Sequence, residues 1–277
     1  MKNYLIPFTL ILFAITSVKS QNSNYDVFAL QFAGPRKMSG DKIAVNGLES
    51  DTVSACNMFW LLKGTNGRNI LVDSGFTDSI THKIPNYVRP DKVLERLNIK
   101  NNQISDIILT HPHWDHIGGL SLFPNATVWI QKADYEYFVG EAWQKKGFSD
   151  GFDKADVQTI VDINLQGKLK LVEGDDIEII PGIKIYIGSK HTYESQYVLV
   201  NTNDKEPVII ASDNIWFYYN LEKRLPIPHY TFNPNKYVSE MERMKSFVSN
   251  MKFIIPGHDA QVFTKFKKIA DGIVKIE

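Results

Sequence analysis

The chain has 277 residues, and its 31 basic and 31 acidic side chains give a formal net charge of zero. This length suffices for one large domain with a sizeable core, and the balanced charge gives no support for nucleic-acid binding. The single cysteine, Cys56, excludes an internal disulfide, so its thiol is either buried as a small apolar group or free to react.

The first twenty residues have the pattern of a secretory signal peptide. A short basic start at residues 1–3 precedes an apolar run at 4–15, and residues 18–20 offer a cleavage site. The apolar run is too short for a membrane span, and no cysteine near the cleavage site is available for a lipid anchor. The sequence therefore predicts export to the periplasm or the medium, and no stable membrane insertion of the mature chain, residues 21–277. An uncleaved membrane anchor is the alternative.

Apolar periodicity predicts the secondary structure in chain order. Apolar runs and alternating patterns predict strands at 26–34, 55–62, 69–72, 106–110, 127–130, 169–172, 177–180, 183–188, 196–200, 208–211 and 253–255. Helical spacing of apolar residues predicts helices at 90–98, 132–145 and 234–250. Two successive halves, each with strands and helices, favour two sheets packed together with helices outside.

The predicted strand at 106–110 leads into a run that reads H-x-H-x-D-H, namely His111-Pro112-His113-Trp114-Asp115-His116. Imidazole nitrogens and carboxylate oxygens suit Zn²⁺ or a similar divalent ion. His111 and His113 point the same way because the side-chain period of a strand is two, whereas Asp115 and His116 follow the turn and can face a second ion. The run predicts a two-metal site, which makes a hydroxide nucleophile at neutral pH and polarises a carbonyl or phosphoryl group.

Three further candidate ligands come just after predicted strands: His191, Asp213 and His258. Loops at strand ends are where metal ligands gather on a rigid scaffold. One such residue alone is usually structural, but three of them downstream of the H-x-H-x-D-H run, in this order, favour metal binding.

This ordered set resembles the metallo-β-lactamase superfamily. The family pattern is a V-D-T/S-G turn, the H-x-H-x-D-H run, a lone His, a bridging Asp and a late G-H. Its counterparts here are Val72-Asp73-Ser74-Gly75, residues 111–116, His191, Asp213 and Gly257-His258. The resemblance covers residues 26–265. It implies an α/β fold, an αβ/βα four-layer sandwich of two mixed β-sheets flanked by helices, with the site at one edge.

The resemblance also implies how the ligands divide between two zinc ions per chain. The first ion is expected on His111, His113 and His191, and the second on Asp115, His116 and His258. Asp213 is expected to bridge both ions. Asp73 is expected not to bind metal but to orient the ligand loops by hydrogen bonds.

Within the superfamily the chain most resembles the N-acyl-homoserine lactonases, which are quorum-quenching enzymes. Asp213 supports this, since true β-lactamases generally lack the bridging aspartate, and segments 127–136, 172–175 and 180–183 are also similar. The implied reaction opens the lactone ring of a small-molecule substrate by attack of a metal-bridging hydroxide, while Asp115 carries the proton to the leaving alkoxide. The alternatives are another hydrolase of this fold, acting on a β-lactam, a different lactone or ester, or a phosphodiester, and a non-catalytic binding protein. The chain is expected to be a monomer or a homodimer.

An acyl chain needs an apolar wall, and the sequence offers a set of candidates for it: Met58, Phe59, Trp60, Tyr135, Phe138, Trp143 and Trp216. Better-known lactonases place a tyrosine three residues after the bridging aspartate, where it hydrogen-bonds the substrate carbonyl. This chain has Trp216 there, and an indole N–H donates one hydrogen bond but does not exchange a proton readily. Either Trp216 takes over this role, or Tyr193 or Tyr218 does, or the substrate differs. Tyr193 and Tyr218 are the residues predicted to supply a catalytic hydroxyl group.

Overall fold

The structure is a computed structural model that describes residues 24–77, 83–204 and 206–277. The predicted signal peptide, residues 1–20, lies outside these ranges. The strands, in chain order, are β1 (Tyr25–Ser39), β2 (Thr52–Gly64), β3 (Asn69–Val72), β4 (Ile104–Ile108), β5 (Thr127–Gln131), β6 (Leu169–Val172), β7 (Ile177–Ile180), β8 (Ile183–Ile187), β9 (Gln196–Val200), β10 (Val208–Ser212), β11 (Ile254–Pro256), β12 (Lys267–Ala270) and β13 (Ile273–Ile276).

The α-helices of the same ranges are α1 (Gly40–Ile43), α2 (Pro90–Glu95), α3 (Trp114–Ile117), α4 (Lys132–Val139), α5 (Lys154–Leu165), α6 (Tyr218–Lys223), α7 (Pro234–Lys245) and α8 (Val262–Lys265). Among these described helices, none combines the length and the apolar composition that crossing a bilayer requires.

The strands form two mixed sheets. The larger has the order β12-β13-β1-β2-β3-β4-β5-β6, and the smaller has the order β11-β10-β9-β8-β7. Strands β3 to β6 run parallel to one another, whereas β1, β2 and β3 are antiparallel neighbours. In the smaller sheet β10 and β11 are parallel and the other pairs are antiparallel. The predicted sandwich of two mixed sheets flanked by helices is confirmed.

Strand β2 shows how the layers are held together. Met58 and Trp60 pack between the two sheets, in the same apolar cluster as Ile209 of β10. Phe59 and Leu61 point to the opposite face and pack in the cluster that includes residues of α2, α4 and α5. Since successive side chains of a strand alternate in direction, a strand buried on both faces reads as a continuous apolar run.

The strand directions bring the polar loops to one edge of the sandwich. Asp73 follows β3 and residues 111–116 follow β4, and these two strands are parallel. Asp213 and His258 follow the parallel pair β10 and β11. His191 follows β8, which runs parallel to β10 because each is antiparallel to β9. Side chains distant in sequence are thus gathered at one site.

Some boundaries differ from the sequence prediction. The helix predicted at 132–145 ends at Val139, before Gly140, and the helix predicted at 234–250 ends at Lys245. Helix α5 was not predicted, although Asp153 is an N-cap residue whose carboxylate accepts the backbone N–H of Ala155 at 2.9 Å. The short strands β12 and β13 were also missed, and β12 is mostly exposed, so it lacks a buried apolar pattern.

Candidate metal centre

The first set of candidate ligands surrounds one oxygen of Asp213. Nε2 of His191 lies 3.2 Å from Asp213 Oδ2 and 3.0 Å from Nδ1 of His113, and Nε2 of His111 lies 3.8 Å from the same Oδ2. Two nitrogens each ~2.0–2.1 Å from a tetrahedral zinc ion are roughly 3.3 Å apart. The spacing of the three imidazoles and the carboxylate therefore suits one shared cation.

The second set faces the other oxygen of Asp213. Asp213 Oδ1 lies 3.1 Å from Nε2 of His258 and 3.4 Å from Nε2 of His116. Asp115 completes this set, with its Oδ2 at 3.6 Å from His258 Nε2 and its Oδ1 at 3.7 Å from His116 Nε2. Asp213 thus lies between the two sets. His258 Nε2 is also 3.2 Å from Oδ2, and the position of the carboxylate suits one that two cations share.

The chemistry of these atoms fits metal ions. In the described part of the chain, the buried atoms His111 Nε2, His116 Nε2 and Asp213 Oδ1 have no hydrogen-bond partner. Buried polar atoms are rarely left unsatisfied, so buried ligand atoms without a hydrogen-bond partner in both sets fit metal coordination. Nitrogen and carboxylate oxygen donors are those that zinc prefers. The cluster is therefore a metal-binding site.

Protonation favours the ligand forms of His111, His113 and Asp213, whereas His116 and His258 must lose a proton to bind a metal. Burial lowers the pKa of His116 and of His258, but the carboxylates of Asp115 and Asp213 outweigh it and raise both pKa values. Burial, and then the charge of neighbouring histidines, lowers the pKa of His111 and of His113 well below the usual value, so both imidazoles are neutral. Burial raises the pKa of Asp213, but His258 and His116 outweigh it and bring the pKa well below its usual value. A neutral imidazole and an ionised carboxylate are the forms that bind a metal.

Asp73, for which the resemblance implies a role in orienting the ligand loops, contacts residues of these loops. It is fully buried and accepts hydrogen bonds from the backbone N–H of Thr110 (2.8 Å), from the Ser212 hydroxyl (2.9 Å) and from His116 Nδ1 (2.8 Å). The Thr110 hydroxyl lies 2.9 Å from Asp73 and 2.9 Å from His111 Nδ1. Each Nδ1 is engaged, so both histidines present Nε2 to the metal site.

A second polar network, which the sequence did not reveal, holds the loop of His191. Buried Asp134 of α4 accepts the Thr192 hydroxyl at 2.6 Å and the backbone N–H of Glu194 at 3.1 Å. Burial raises the pKa of Asp134 to about 7, although these hydrogen bonds oppose the rise. The Ser195 hydroxyl, which accepts the His191 N–H, donates to Asn214 beside the bridging aspartate. These contacts fix the distance between His191 and Asp213.

A cleft opens beside the cluster and contains about 610 Å³, part of it open to solvent. Its lining combines metal-site residues with apolar and aromatic ones: Arg36, Met38, Ala55, His113, Trp114, Asp115, Gly151, Asp213, Trp216, Phe217, Tyr230 and His258. Trp216 Nε1 donates a hydrogen bond to Asp213 Oδ2 at 2.8 Å. The indole at the position of the expected tyrosine therefore contacts the carboxylate that lies between the two sets.

The two tyrosines predicted as catalytic do not line this cleft. Tyr218 is buried, and its hydroxyl points away from the cluster and donates to the carbonyl of Lys252 at 3.1 Å. Tyr193 is 42% exposed and stacks on Tyr137 with ring centroids 4.6 Å apart. The tyrosine that does line the cleft is Tyr230, which the sequence analysis did not select.

Trp216 is the member of the predicted apolar wall that the structure places on the cleft. The other candidates pack elsewhere: Met58 and Trp60 between the sheets, and Phe59, Tyr135, Phe138 and Trp143 in the cluster of the larger sheet and its helices. The side chains on both faces of strand β2 pack in the core, so its large side chains cannot turn toward the cleft.

The comparisons with known proteins agree with this geometry. The family model of the metallo-beta-lactamase superfamily matches residues 51–258. An N-acyl homoserine lactonase of Bacillus cereus is 26% identical over 209 residues, which cover 69% of this chain and 77% of that enzyme. The N-acyl homoserine lactonase AttM of Rhizobium radiobacter is 22% identical over 178 residues, which cover 63% and 65% of the two chains.

Solved structures show the same fold. A quorum-quenching N-acyl homoserine lactone lactonase superimposes with a TM-score of 0.69 at 23% identity, over 88% of this chain and 96% of that one. AidC, a dizinc quorum-quenching lactonase, gives 0.64 at 16% identity, over 92% and 98% of the two chains. On the extent of the family match, the chain belongs to the metallo-beta-lactamase superfamily.

Proposed function

We propose that the protein is a dinuclear zinc hydrolase that opens the lactone ring of N-acyl-homoserine lactones. The observation that carries the proposal is the division of seven ligands into two sets that share Asp213. Relatives named N-acyl homoserine lactonases support this choice of substrate. A bound pair of such ions supplies a nucleophile from water at neutral pH and a Lewis-acid contact for a carbonyl oxygen.

The residues of the chain supply position and proton transfer. Asp115 lines the cleft, and its Oδ2 is held by the amide of Asn57 at 2.8 Å, so the carboxylate has a fixed direction. From there it would carry a proton to the alkoxide that leaves when the ring opens. Trp216 would form the part of the cleft wall that contacts the acyl chain of the substrate, while its N–H remains hydrogen-bonded to Asp213.

A substrate panel tests the proposed reaction. Zinc-loaded protein should hydrolyse N-hexanoyl- and N-decanoyl-homoserine lactone much faster than nitrocefin or bis(p-nitrophenyl) phosphate. Hydrolysis of a ring ester gives one acid product, so mass spectrometry should show the substrate plus one water, and acidification should partly close the ring again. Release of free fatty acid and homoserine lactone would identify an acylase instead. Absence of lactone turnover at any chain length, with good cleavage of another panel member, would assign the site to that other hydrolase class.

Tyr230 is proposed to contact the substrate in place of the expected tyrosine. Its ring centroid lies 5.6 Å from that of His113 and 6.3 Å from that of Trp216, on the cleft wall. Tyr230→Phe should lower kcat/KM by roughly 10- to 100-fold, because a hydrogen bond to developing charge is worth about 1.5–3 kcal/mol. Tyr193→Phe removes a hydroxyl outside the cleft lining and should change kcat/KM by less than about twofold. A larger loss for Tyr193→Phe than for Tyr230→Phe would return the role to Tyr193.

Export also belongs to the proposal, because an enzyme that degrades diffusible signals meets them outside the cell. The signal-like pattern of residues 1–20 supports it. Amino-terminal sequencing of the exported form should begin at Gln21, and an intact Met1 in that form would favour an anchor.

A further inference from the structure

Arg36 lies in the cleft wall, at a distorted part of strand β1. The pairing of β1 with β2 shifts register between Gln31 and Ala33 and again between Ala33 and Arg36, after which Arg36 pairs with Ala55. Directly paired residues of antiparallel strands point to the same face, and Ala55 also lines the cleft. The bulges therefore direct Arg36 into the cleft.

The guanidinium of Arg36 is held in place but is not neutralised. Its Nη1 donates to Oδ1 of Asn57 at 3.0 Å, and Asn57 is 1% exposed and donates in turn to Asp115. Within the described ranges this is its sole hydrogen bond, and no carboxylate there forms an ion pair with it. A guanidinium has five N–H donors, and a half-buried charge without a partner is costly. Its open donors face a cleft that a ligand enters.

We propose that Arg36 binds an anionic group of the ligand, a carboxylate or a phosphate, that is separate from the reacting carbonyl. Among the described residues of the cleft lining, Arg36 alone is permanently cationic, while Asp115 and Asp213 belong to the metal cluster. The inference rests on the proposed function only in that the ligand occupies this cleft. It goes beyond the proposed reaction, because it adds a second substrate class to the neutral lactones: esters or lactones that carry an acidic group.

The choice of an anion follows from the geometry of arginine. A guanidinium offers parallel N–H bonds to the two oxygens of a carboxylate or phosphate, and such charge-assisted pairs are about twice as strong as neutral hydrogen bonds. Asn57 occupies one N–H of Nη1, and no other residue in the described ranges accepts a hydrogen bond from the Nε and Nη2 edge. A neutral amide carbonyl would use one of these donors and leave the charge uncompensated.

Calorimetric titration of the zinc-loaded protein with carboxylic acids tests the inference without lactone turnover. The dicarboxylates from succinate to suberate are compared with monocarboxylates of equal chain length, because one carboxylate binds at the metal site and the second reaches Arg36. At the matching length the dicarboxylate should bind at least about tenfold more tightly, because its second carboxylate forms charge-assisted hydrogen bonds with Arg36. A phosphonate-ended analogue of that length distinguishes phosphate from carboxylate as the preferred group.

Matched variants separate this role from a structural one. Arg36→Gln should reduce the ratio of the monocarboxylate to the dicarboxylate dissociation constant to about one. Arg36→Lys should retain part of the preference for the dicarboxylate because the charge remains. Lys37→Gln removes the same charge from the adjacent exposed residue and should leave the ratio unchanged. A ratio near one in the unmodified protein, or an equal ratio in Arg36→Gln, would overturn the inference. Loss of lactone hydrolysis with a preserved ratio would instead contradict the proposed function alone.

Discussion

Asp213→Ala should abolish most hydrolytic activity and reduce the metal content from two equivalents to one or fewer. The two ions that a carboxylate bridges are ~3.5–4 Å apart. At 4 Å and an effective dielectric constant of 20, unit charges repel by ~4 kcal/mol, and divalent ions by about four times as much. Without the shared oxygens of Asp213, one ion should leave, and turnover should fall by orders of magnitude, since each 1.4 kcal/mol of barrier is a factor of about ten.

Metal analysis, turnover of the best panel substrate and circular dichroism are measured together for this variant. The unmodified protein should return close to two zinc equivalents after gentle purification. Asp271→Asn, at a side chain that is 86% exposed, serves as the control and should behave like the unmodified protein. Near-normal turnover with normal metal content in Asp213→Ala would show that the bridging assignment is wrong.

Asp73→Ala should weaken both the fold and the metal site. The change leaves the backbone N–H of Thr110, the Ser212 hydroxyl and Nδ1 of His116 without their acceptor. Each unsatisfied buried donor costs about 1–3 kcal/mol, so the loss of the acceptor for three donors should lower the free energy of unfolding of the metal-free protein by roughly 3–9 kcal/mol. Zinc affinity should fall by about 10- to 100-fold, because the groups that orient metal ligands have effects of that size.

A second buried aspartate provides the matched control for this experiment. Asp106 of strand β4 accepts hydrogen bonds from Arg68 and Trp129, away from the metal ligands. Asp106→Ala should lower stability in urea unfolding to a similar degree, yet leave zinc affinity in a chelator competition unchanged. Equal zinc affinities of the two variants would mean that Asp73 is only a structural residue.

The sequence was sufficient to predict the sandwich and the ligand candidates, for a physical reason. Buried strands are apolar runs, and the loops after parallel strands meet at one edge, so the order of elements already places His191, Asp213 and His258 near residues 111–116. Side-chain chemistry then limits the possible kinds of site, because few sites other than metal centres contain so many imidazoles.

The remainder of the site depends on tertiary packing, which leaves no local pattern. Tyr218 begins helix α6, and that start turns its hydroxyl toward Lys252 rather than toward the cleft. Tyr230 lies in a loop with a left-handed backbone, φ 53°, which apolar periodicity does not indicate. Asn57 is a polar residue within an apolar strand, and nothing in the sequence around it indicates that its side chain contacts Asp115.

The ligands are divided between the two sheets. His111, His113, Asp115 and His116 follow a strand of the larger sheet, and the other three follow strands of the smaller one. Any ion bound there is a cross-link between the halves of the sandwich, which breaks when they separate. Free metal at a thousand times its dissociation constant would add about 4.1 kcal/mol of stability per site. Scarcity of metal would thus shorten the lifetime of the protein toward proteases as well as slow its chemistry.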